Sequence, residues 1–397
     1  MKKIIISTIF LIILIPIIYT LYMNYRIKHA IIKVETIDDL NIEVYSEIKT
    51  KDLIKSINGK IINNKKINTE KLGKKEVTFK YINEENLKID YSFDINIVDT
   101  TPPIISNHKK FTFYKESNVD LESKFFCGDN YDDKPNCEII GEYNLDEIGK
   151  YDLTYKATDK EGNETVNNFT VNIIERPKNT TNKSTKTNTK NTLFSEIKEK
   201  YNNYKVGIDI SHHQGDIDYK KIKEAGVDFV FIRVGSQKGK NGEYYLDSKF
   251  KENIKGLNQE KIPVGIYFFS YADNNKEALK QAKWVIKQIK DYKISLPVVF
   301  DWENWTKYKE YNLSFYHLTQ IATTFTDEIE KHGYETMLYS SKYYLENIWQ
   351  NPKQDIWLAH YTNKTDYKGK YKVWQICDDG KIDGINDNYV DIDILYE

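Results

Sequence analysis

The chain has 397 residues, more than a single compact core of ordinary size holds, so two or three domains are expected. Its formal net charge of −1, from 58 Lys and Arg against 59 Asp and Glu, supplies no basic face and argues against a nucleic-acid partner. With only 8 Pro and 18 Gly beside 31 Tyr, the composition reads as a coding bias, and the tyrosines are not in themselves a row of sugar platforms.

Residues 1–3 carry Lys2 and Lys3, and the nineteen residues from Ile4 to Tyr22 follow without a charge. That length crosses a hydrocarbon core as a helix, even with Pro16 inside it. The two lysines hold residues 1–3 in the cytoplasm by the positive-inside rule, a bias that Arg26 and Lys28 weaken. Thr20-Leu21-Tyr22-Met23 offers no A-x-A-like cleavage site, and no cysteine follows for lipid attachment. The reading is therefore an uncleaved transmembrane helix over 4–22. It implies a single-pass protein of the cell membrane with the rest of the chain outside the cytoplasm. Cleavage of this segment, the alternative, makes the protein secreted.

A β-rich stretch comes next and repeats internally. Gly73-Lys74-Lys75-Glu76-Val77-Thr78-Phe79 parallels Gly149-Lys150-Tyr151-Asp152-Leu153-Thr154-Tyr155, and the same offset maps Phe93 to Phe169 and Ile97 to Ile173. Apolar residues alternate along Ile89, Tyr91, Phe93, Ile95 and Ile97, and along Phe169, Val171 and Ile173. Such alternation after a turn like Asp159–Asn163 reads as the closing hairpin of a sandwich with one buried face. Two modules are expected, at 29–98 and 99–175, joined at Asp99-Thr100-Thr101-Pro102-Pro103, whose prolines stiffen the joint. Both are similar to bacterial immunoglobulin-like repeats. They read as spacers, with adhesion to sugar or protein as the competing role.

Cys127 and Cys137 lie in the second repeat, in a loop rich in Asp and Asn. An exported location permits a disulfide there, and two free thiols are the alternative. The acidic run Asp129–Asp133 lacks the spacing of a dedicated calcium loop, and His212-His213 is a weak ligand pair, so no metal is expected. Residues 176–200 begin with a run of Asn, Thr, Lys and Ser that has nothing to bury and read as a flexible linker.

From residue 201 to 397, strand candidates begin near Val206, Phe229, Val264, Pro297, Thr336, Ile356, Lys372 and Val390. Helices are expected from about Lys276 to Tyr292 and from Leu313 to His332, the second stopping at Gly333. After Tyr361 the connections are too short for helices, so an α/β barrel is expected that lacks helices in its last third. Leu296-Pro297-Val298-Val299 is apolar on both faces, as in a strand buried within such a barrel, and Phe300-Asp301-Trp302-Glu303 follows. Strand alternation turns Asp301 and Glu303 to one side, at the strand end where barrel enzymes place their chemistry. Paired carboxylates are what glycosidic cleavage needs: a proton donor and a partner for the cationic sugar. For an isolated D-x-E, a chance pair of exposed acids is the better explanation.

The surrounding motifs reverse that balance. Tyr204-Lys205-Val206-Gly207-Ile208-Asp209-Ile210-Ser211 with Gln214-Gly215 and Phe229-Val230-Phe231-Ile232-Arg233 resembles the opening of the family 25 glycoside hydrolases, the Chalaropsis-type lysozymes. Pro263–Phe268, the D-x-E strand, Met337–Ser341, Ile356–Tyr361, Val373-Trp374-Gln375 and Val390-Asp391-Ile392-Asp393 continue the resemblance in order. Asp393 and the loop Gly235-Ser236-Gln237 depart from the family's usual residues. The resemblance implies a modified β/α-barrel of eight strands and about five helices. It also implies an N-acetylmuramidase acting on peptidoglycan glycan strands, without a cofactor, and a catalytic cluster of Asp209, Asp301, Glu303 and Asp391. Gln214, Arg233, Tyr267, Tyr339, Trp357, Tyr361 and Gln375 stand at matched positions as substrate contacts. The competing class is a wall-binding or adhesion protein that keeps the barrel as a lectin.

Two finer expectations follow. The stretch from Cys377 to Tyr389 allows a hairpin but no crossover helix, so the last strand runs antiparallel to the seventh and brings Asp391 beside Asp209. Glu303, with the longer arm, is expected as general acid, its pKa raised by Trp302, Trp305 and nearby carboxylates, while Asp301 stays ionised.

Overall fold

The computed structural model describes residues 2–177 and 191–396, and the side chains of 2–13, 386 and 387 lie outside the described set. The chain divides into two compact units, residues 1–100 and 101–397. In the first, a helix runs from Lys2 to Lys28, and the expected membrane span falls within it, largely on side chains outside the described set. Among the described residues no helix is long and apolar enough to cross a membrane.

The rest of the first unit is β structure. Gly73–Asn83 and Lys88–Val98 form an antiparallel hairpin, flanked by Gly59–Ile61 on one side and, in parallel, by Asn41–Glu43 on the other. Phe79, Tyr81 and Ile89 are buried on one face, where Val34, Ile54 and Ile57 of a two-stranded layer pack on them.

The second unit opens with the same plan. Gly149–Thr158 pairs with Glu164–Ile174, Asn136–Ile140 adds to one edge, and Lys110–Tyr114 adds in parallel to the other. Leu153, Tyr155, Phe169, Val171 and Ile173 cover Ile105, Leu121 and Phe125 from the small pair Ile104–Ile105 and Cys127–Gly128 and its neighbours. Both hairpins thus bury the alternating residues that the repeat marks. Cys127 and Cys137 are joined by a disulfide.

The expected linker needs shortening. Residues 178–190 lie outside the described set, but Thr192-Leu193 pairs with a barrel strand and Phe194–Lys200 is a helix. The reason is apolar: Phe194 and Ile197 are buried in the barrel's outer core.

Eight strands then close a barrel: β1 (Lys205–Ile210), β2 (Val230–Gln237), β3 (Val264–Phe269), β4 (Val298–Asp301), β5 (Thr336–Ser341), β6 (Asp355–Ala359), β7 (Val373–Ile382) and β8 (Ile385–Leu395). Strands β1 to β7 run parallel, while β8 is antiparallel to both β7 and β1, as the short connection requires. Each of the first five strands is followed by one helix: α1 (Tyr219–Glu224), α2 (Phe250–Gln259), α3 (Asn275–Ile289), α4 (Phe315–Glu330) and α5 (Lys342–Asn347). Asp218, Asn274 and Ser314 cap three of them by accepting a backbone N–H of the first turn. Gly333, at φ +84°, ends the turn after α4 in a conformation that costs other residues a steric clash.

Strand alternation sorts the side chains into two cores. Val298, Phe300 and Trp302 face outward to the helices, whereas Val299 joins Phe231, Met337, Trp357 and Val373 inside the barrel.

Candidate active site

Asp209 leaves β1, Asp301 and Glu303 leave β4, and Asp391 enters on β8, where it sits directly across from Asp209. The antiparallel last strand makes this possible: it starts at the end of the barrel where the parallel strands finish. All four carboxylates line one cavity of about 170 Å³, together with Arg233, Tyr267, Phe269, Tyr339, Trp357 and Gln375. Asp209 and Asp301 are buried, while Glu303 stays exposed at the rim.

Gln375 on β7 is the hub. Its Nε2 donates to Asp209 Oδ2 at 2.8 Å and to Asp391 Oδ2 at 3.2 Å, and its Oε1 accepts from the hydroxyls of Tyr339 (2.8 Å) and Tyr361 (2.9 Å). Both amide hydrogens and both lone pairs are therefore used, which fixes the side chain in one orientation. Arg233 is the cation among the lining residues. Its Nε and Nη2 donate to Asp247 Oδ2 at 2.9 and 2.8 Å, and Nη2 also meets His212 Nδ1. Asp247 is buried and is itself held by the backbone N–H groups of His212 and Lys249.

Burial dominates the electrostatics. It lifts Asp209 and Asp301 well above the carboxylate range, with Asp393 adding to the first and Glu303 to the second. Asp391 is pushed up to about 9, by burial and then by Asp209. Glu303, although part of its side chain reaches the surface, is raised by desolvation among the cavity walls, with the Asp301 hydrogen bond working in the opposite direction. Burial therefore favours the protonated form of both acids, and most strongly that of Asp301. This corrects the expectation that Asp301 is the ionised member: it is the more deeply buried of the two.

A second correction concerns the tryptophans. Trp302 points away from the cavity, fully buried between strand and helix, and its indole donates to Ala272 O at 3.1 Å. Alternation turns it opposite to Asp301 and Glu303. Trp305 packs beside it at 4.8 Å, and neither ring lines the acidic cavity.

Of the expected substrate contacts, Arg233, Tyr267, Tyr339, Trp357 and Gln375 reach the cavity, and Tyr361 lines a neighbouring cleft of about 530 Å³ with Glu303 and Tyr339. Gln214 is not brought there. It closes its own loop, Oε1 accepting from Ser211 N at 2.8 Å and Nε2 donating to Tyr389 O at 3.1 Å. Sequence reasoning missed two members of the site. Asp393 lies fully buried behind Asp209 and accepts from Trp357 Nε1 at 2.8 Å; its i, i+2 spacing from Asp391 carried that signal. Asp247, which orients Arg233, had no signal in its local sequence.

The acids of the 129–133 loop are engaged within the fold. Asp129 Oδ1 accepts from Tyr131 N and Asp132 N, and Asp132 Oδ1 from Lys134 N and Lys160 Nζ. Cys377 is buried, its thiol pushed up to about 12 by desolvation, in keeping with a small core residue.

Compared with known proteins, residues 208–385 match the family model of Glycosyl hydrolases family 25. They form a family 25 glycosyl hydrolase domain. Among curated relatives, the autolytic lysozyme of Clostridium acetobutylicum is 25% identical over 183 residues, which are 45% of this chain and 52% of that protein. The chain thus spans about half the length of that relative. Solved structures that are similar include a family 25 glycosyl hydrolase from Bacillus anthracis, 26% identical, with a TM-score of 0.43 and coverage of 49% of this chain and 90% of that one. The modular autolysin LytC from Streptococcus pneumoniae, solved with a synthetic peptidoglycan ligand, is 26% identical with a TM-score of 0.44, covering 61% of this chain and 56% of the other. The family 25 match covers the strands that carry Asp209, Asp301 and Glu303, while Asp391 stands just past its end.

Proposed function

We propose that the family 25 domain hydrolyses peptidoglycan at the β-1,4 bond between N-acetylmuramic acid and N-acetylglucosamine. The observation that carries this reading is the convergence of Asp209, Asp301, Glu303 and Asp391 on one small cavity that Tyr267 and Tyr339 also line, with Asp209 and Asp391 tied together by Gln375. Glycosidic cleavage needs a proton for the departing oxygen and negative charge near the anomeric carbon, and the cluster holds both.

Glu303 is the carboxylate that borders both the inner cavity and the outer cleft. In this reading it gives its proton to the leaving oxygen as the C–O bond breaks, and water completes the product at the anomeric carbon. The proton that water releases there returns to the Asp301–Glu303 pair and restores the donor. Asp209 and Asp391, held by Gln375, position the sugar. The substrate is a wall polymer, so the reading includes export, with the apolar segment 4–22 as membrane anchor on the strength of its sequence.

The test is loss of turbidity of a purified cell-wall suspension by the detergent-solubilised full chain, with reducing ends assayed in the soluble products. New muramic acid reducing ends are expected. Binding to the wall without any new reducing end would replace this reading with the lectin reading.

A further inference from the structure

The β module of residues 101–175 does not hang beside the barrel; it is fitted to it. Asp133 Oδ1 accepts from Ser314 N at 2.7 Å and contacts His317 Nδ1 at 2.6 Å, at the start of α4. Phe315 N donates to Asp129 O at 2.8 Å, and Tyr316 N to Asn130 O at 3.3 Å. A Cβ on Gly128 would stand 2.6 Å from the Phe315 ring and 2.8 Å from that of Tyr308, so glycine permits this approach. Phe126 lies on the rings of Tyr308 and Phe315, with centroids at 5.1 and 6.2 Å.

This docking creates a second trough, of about 720 Å³, along the seam. Its floor is aromatic: Trp305 stacks on Tyr344 at 3.8 Å, with Phe126 next to them. Its rim is polar on both sides, Asn107, His108 and Lys124 from the module facing Lys307 and Glu310 from the barrel. Among the described residues, neither Lys124 nor Lys307 makes a salt bridge, and both are exposed. The trough neighbours the acidic cavity through shared lining residues. Tyr343, 46% exposed, borders both the seam and the cleft of Tyr361, and that cleft shares Glu303 and Tyr339 with the cavity.

We infer that the seam is a distal binding site for the same substrate strand, a glycan bearing peptide stems, built jointly by the β module and the barrel. The inference rests on the hydrolase reading for its choice of ligand. Aromatic faces fit the apolar sides of sugar rings, and the polar rim fits their hydroxyl and amide groups. The two unpaired lysines fit the carboxylates of the peptide stems. Adjacency to the acidic cavity, through Tyr343 and then Glu303 and Tyr339, is what selects this occupant over an unrelated one. The module is then a ruler as well as a spacer: a strand long enough to span all three segments gains contacts that a short fragment cannot make.

The test uses the full chain carrying Glu303→Gln, so that bound strands are not consumed. Titration calorimetry measures its affinity for purified peptidoglycan strands, short and long, with and without peptide stems. Long strands are expected to bind at least tenfold more tightly than short ones. The pair Lys124→Glu with Asn107→Ala is expected to remove most of that advantage while changing short-fragment affinity less than twofold. His108→Ala serves as a second variant should the pair fold poorly. Affinity independent of strand length, or an advantage untouched by either variant, overturns the inference. An advantage lost only for stem-bearing strands supports it and assigns the lysines to the stems. Hydrolysis by the unmodified chain is scored separately, so a protein that binds long strands through the seam yet cuts nothing retires the hydrolase reading alone.

Discussion

Glu303 and Asp301 face two environments, one open and one closed, and burial favours the protonated form of both. Glu303→Gln keeps the shape of the donor and removes its proton, and loss of a general acid costs on the order of 10²–10⁴ in rate. Lysis of wall by Glu303→Gln is expected to fall by that factor with wall binding retained. A substrate whose leaving group departs unprotonated should be spared, and equal slowing of both substrates would move the donor role to Asp301. Asp391 gives the residue scale its pH dependence. Its pKa rises from about 4 in the unfolded chain to about 9 in the fold, so the folded protein holds a proton that the unfolded one releases. Its contribution to stability is complete below the unfolded value and drains away as pH climbs towards 9. Asp391→Asn is therefore expected to be more stable than the parent at pH 8, by on the order of 1–3 kcal/mol, and nearly equal to it at pH 4, while losing activity. Denaturant titration of the full chain at the two pH values checks this, and a less stable variant at pH 8 would contradict it. Gln375 has no such compensation. Gln375→Ala strips donors from two carboxylates and an acceptor from two tyrosines, and each buried group left unpaired costs about 1–3 kcal/mol. Thermal melting should show a loss of several degrees, together with a collapse of lysis.

Among the elements, the loop between Cys127 and Cys137 has the most to lose. It carries Gly128, Asp129 and Asp133, the residues through which the β module grips the start of α4. Its disulfide closes a loop of sequence separation 10, which chain entropy values at about 3 kcal/mol. Cys127→Ser with Cys137→Ser is expected to leave the barrel folded and to expose this loop to proteolysis, with lysis of long strands reduced more than cleavage of short ones. Limited digestion followed by mass spectrometry locates the cuts, and cuts elsewhere first would argue against the loop as anchor. The Asp133–His317 contact adds a modest pH term. His317 is raised by its bond to Asp133, so its share is present below about 6.5 and fades as pH rises past the shifted value. Burial lifts Asp133, but the His317 bond and the Ser314 N–H outweigh it and hold it low, so its share fades only in acid. Both groups are about half exposed, and screening keeps the effect near 0.5 kcal/mol.

Across the whole molecule, legibility followed periodicity. The barrel strands and the long helices announced themselves through apolar runs and one-sided spacing, and the antiparallel β8 followed from a connection too short to cross over. The pairing of Asp209 with Asp391 was likewise open to reasoning, because it needs only topology. What stayed hidden depends on atoms meeting in space. Gln214 stands within a matched motif, yet its amide closes a turn. Asp247 sits in an ordinary sequence and yet holds Arg233. The end of the linker was misplaced because Phe194 and Ile197 were read with their polar neighbours, although two apolar residues suffice to pin a short helix to a core. The grip of the β module on the barrel had no local signature at all, since Phe126 and Gly128 reveal their purpose only against Tyr308 and Phe315.

The reversed final strand has a consequence in time. Asp209 is laid down near the start of the catalytic domain and Asp391 near its finish, and neither finds its place until β8 slots between β7 and β1. Every earlier stage of synthesis therefore yields a barrel with an open seam and an incomplete acidic ring. On the proposed reading, the acidic site is therefore incomplete until the last strand is made and the cylinder shuts.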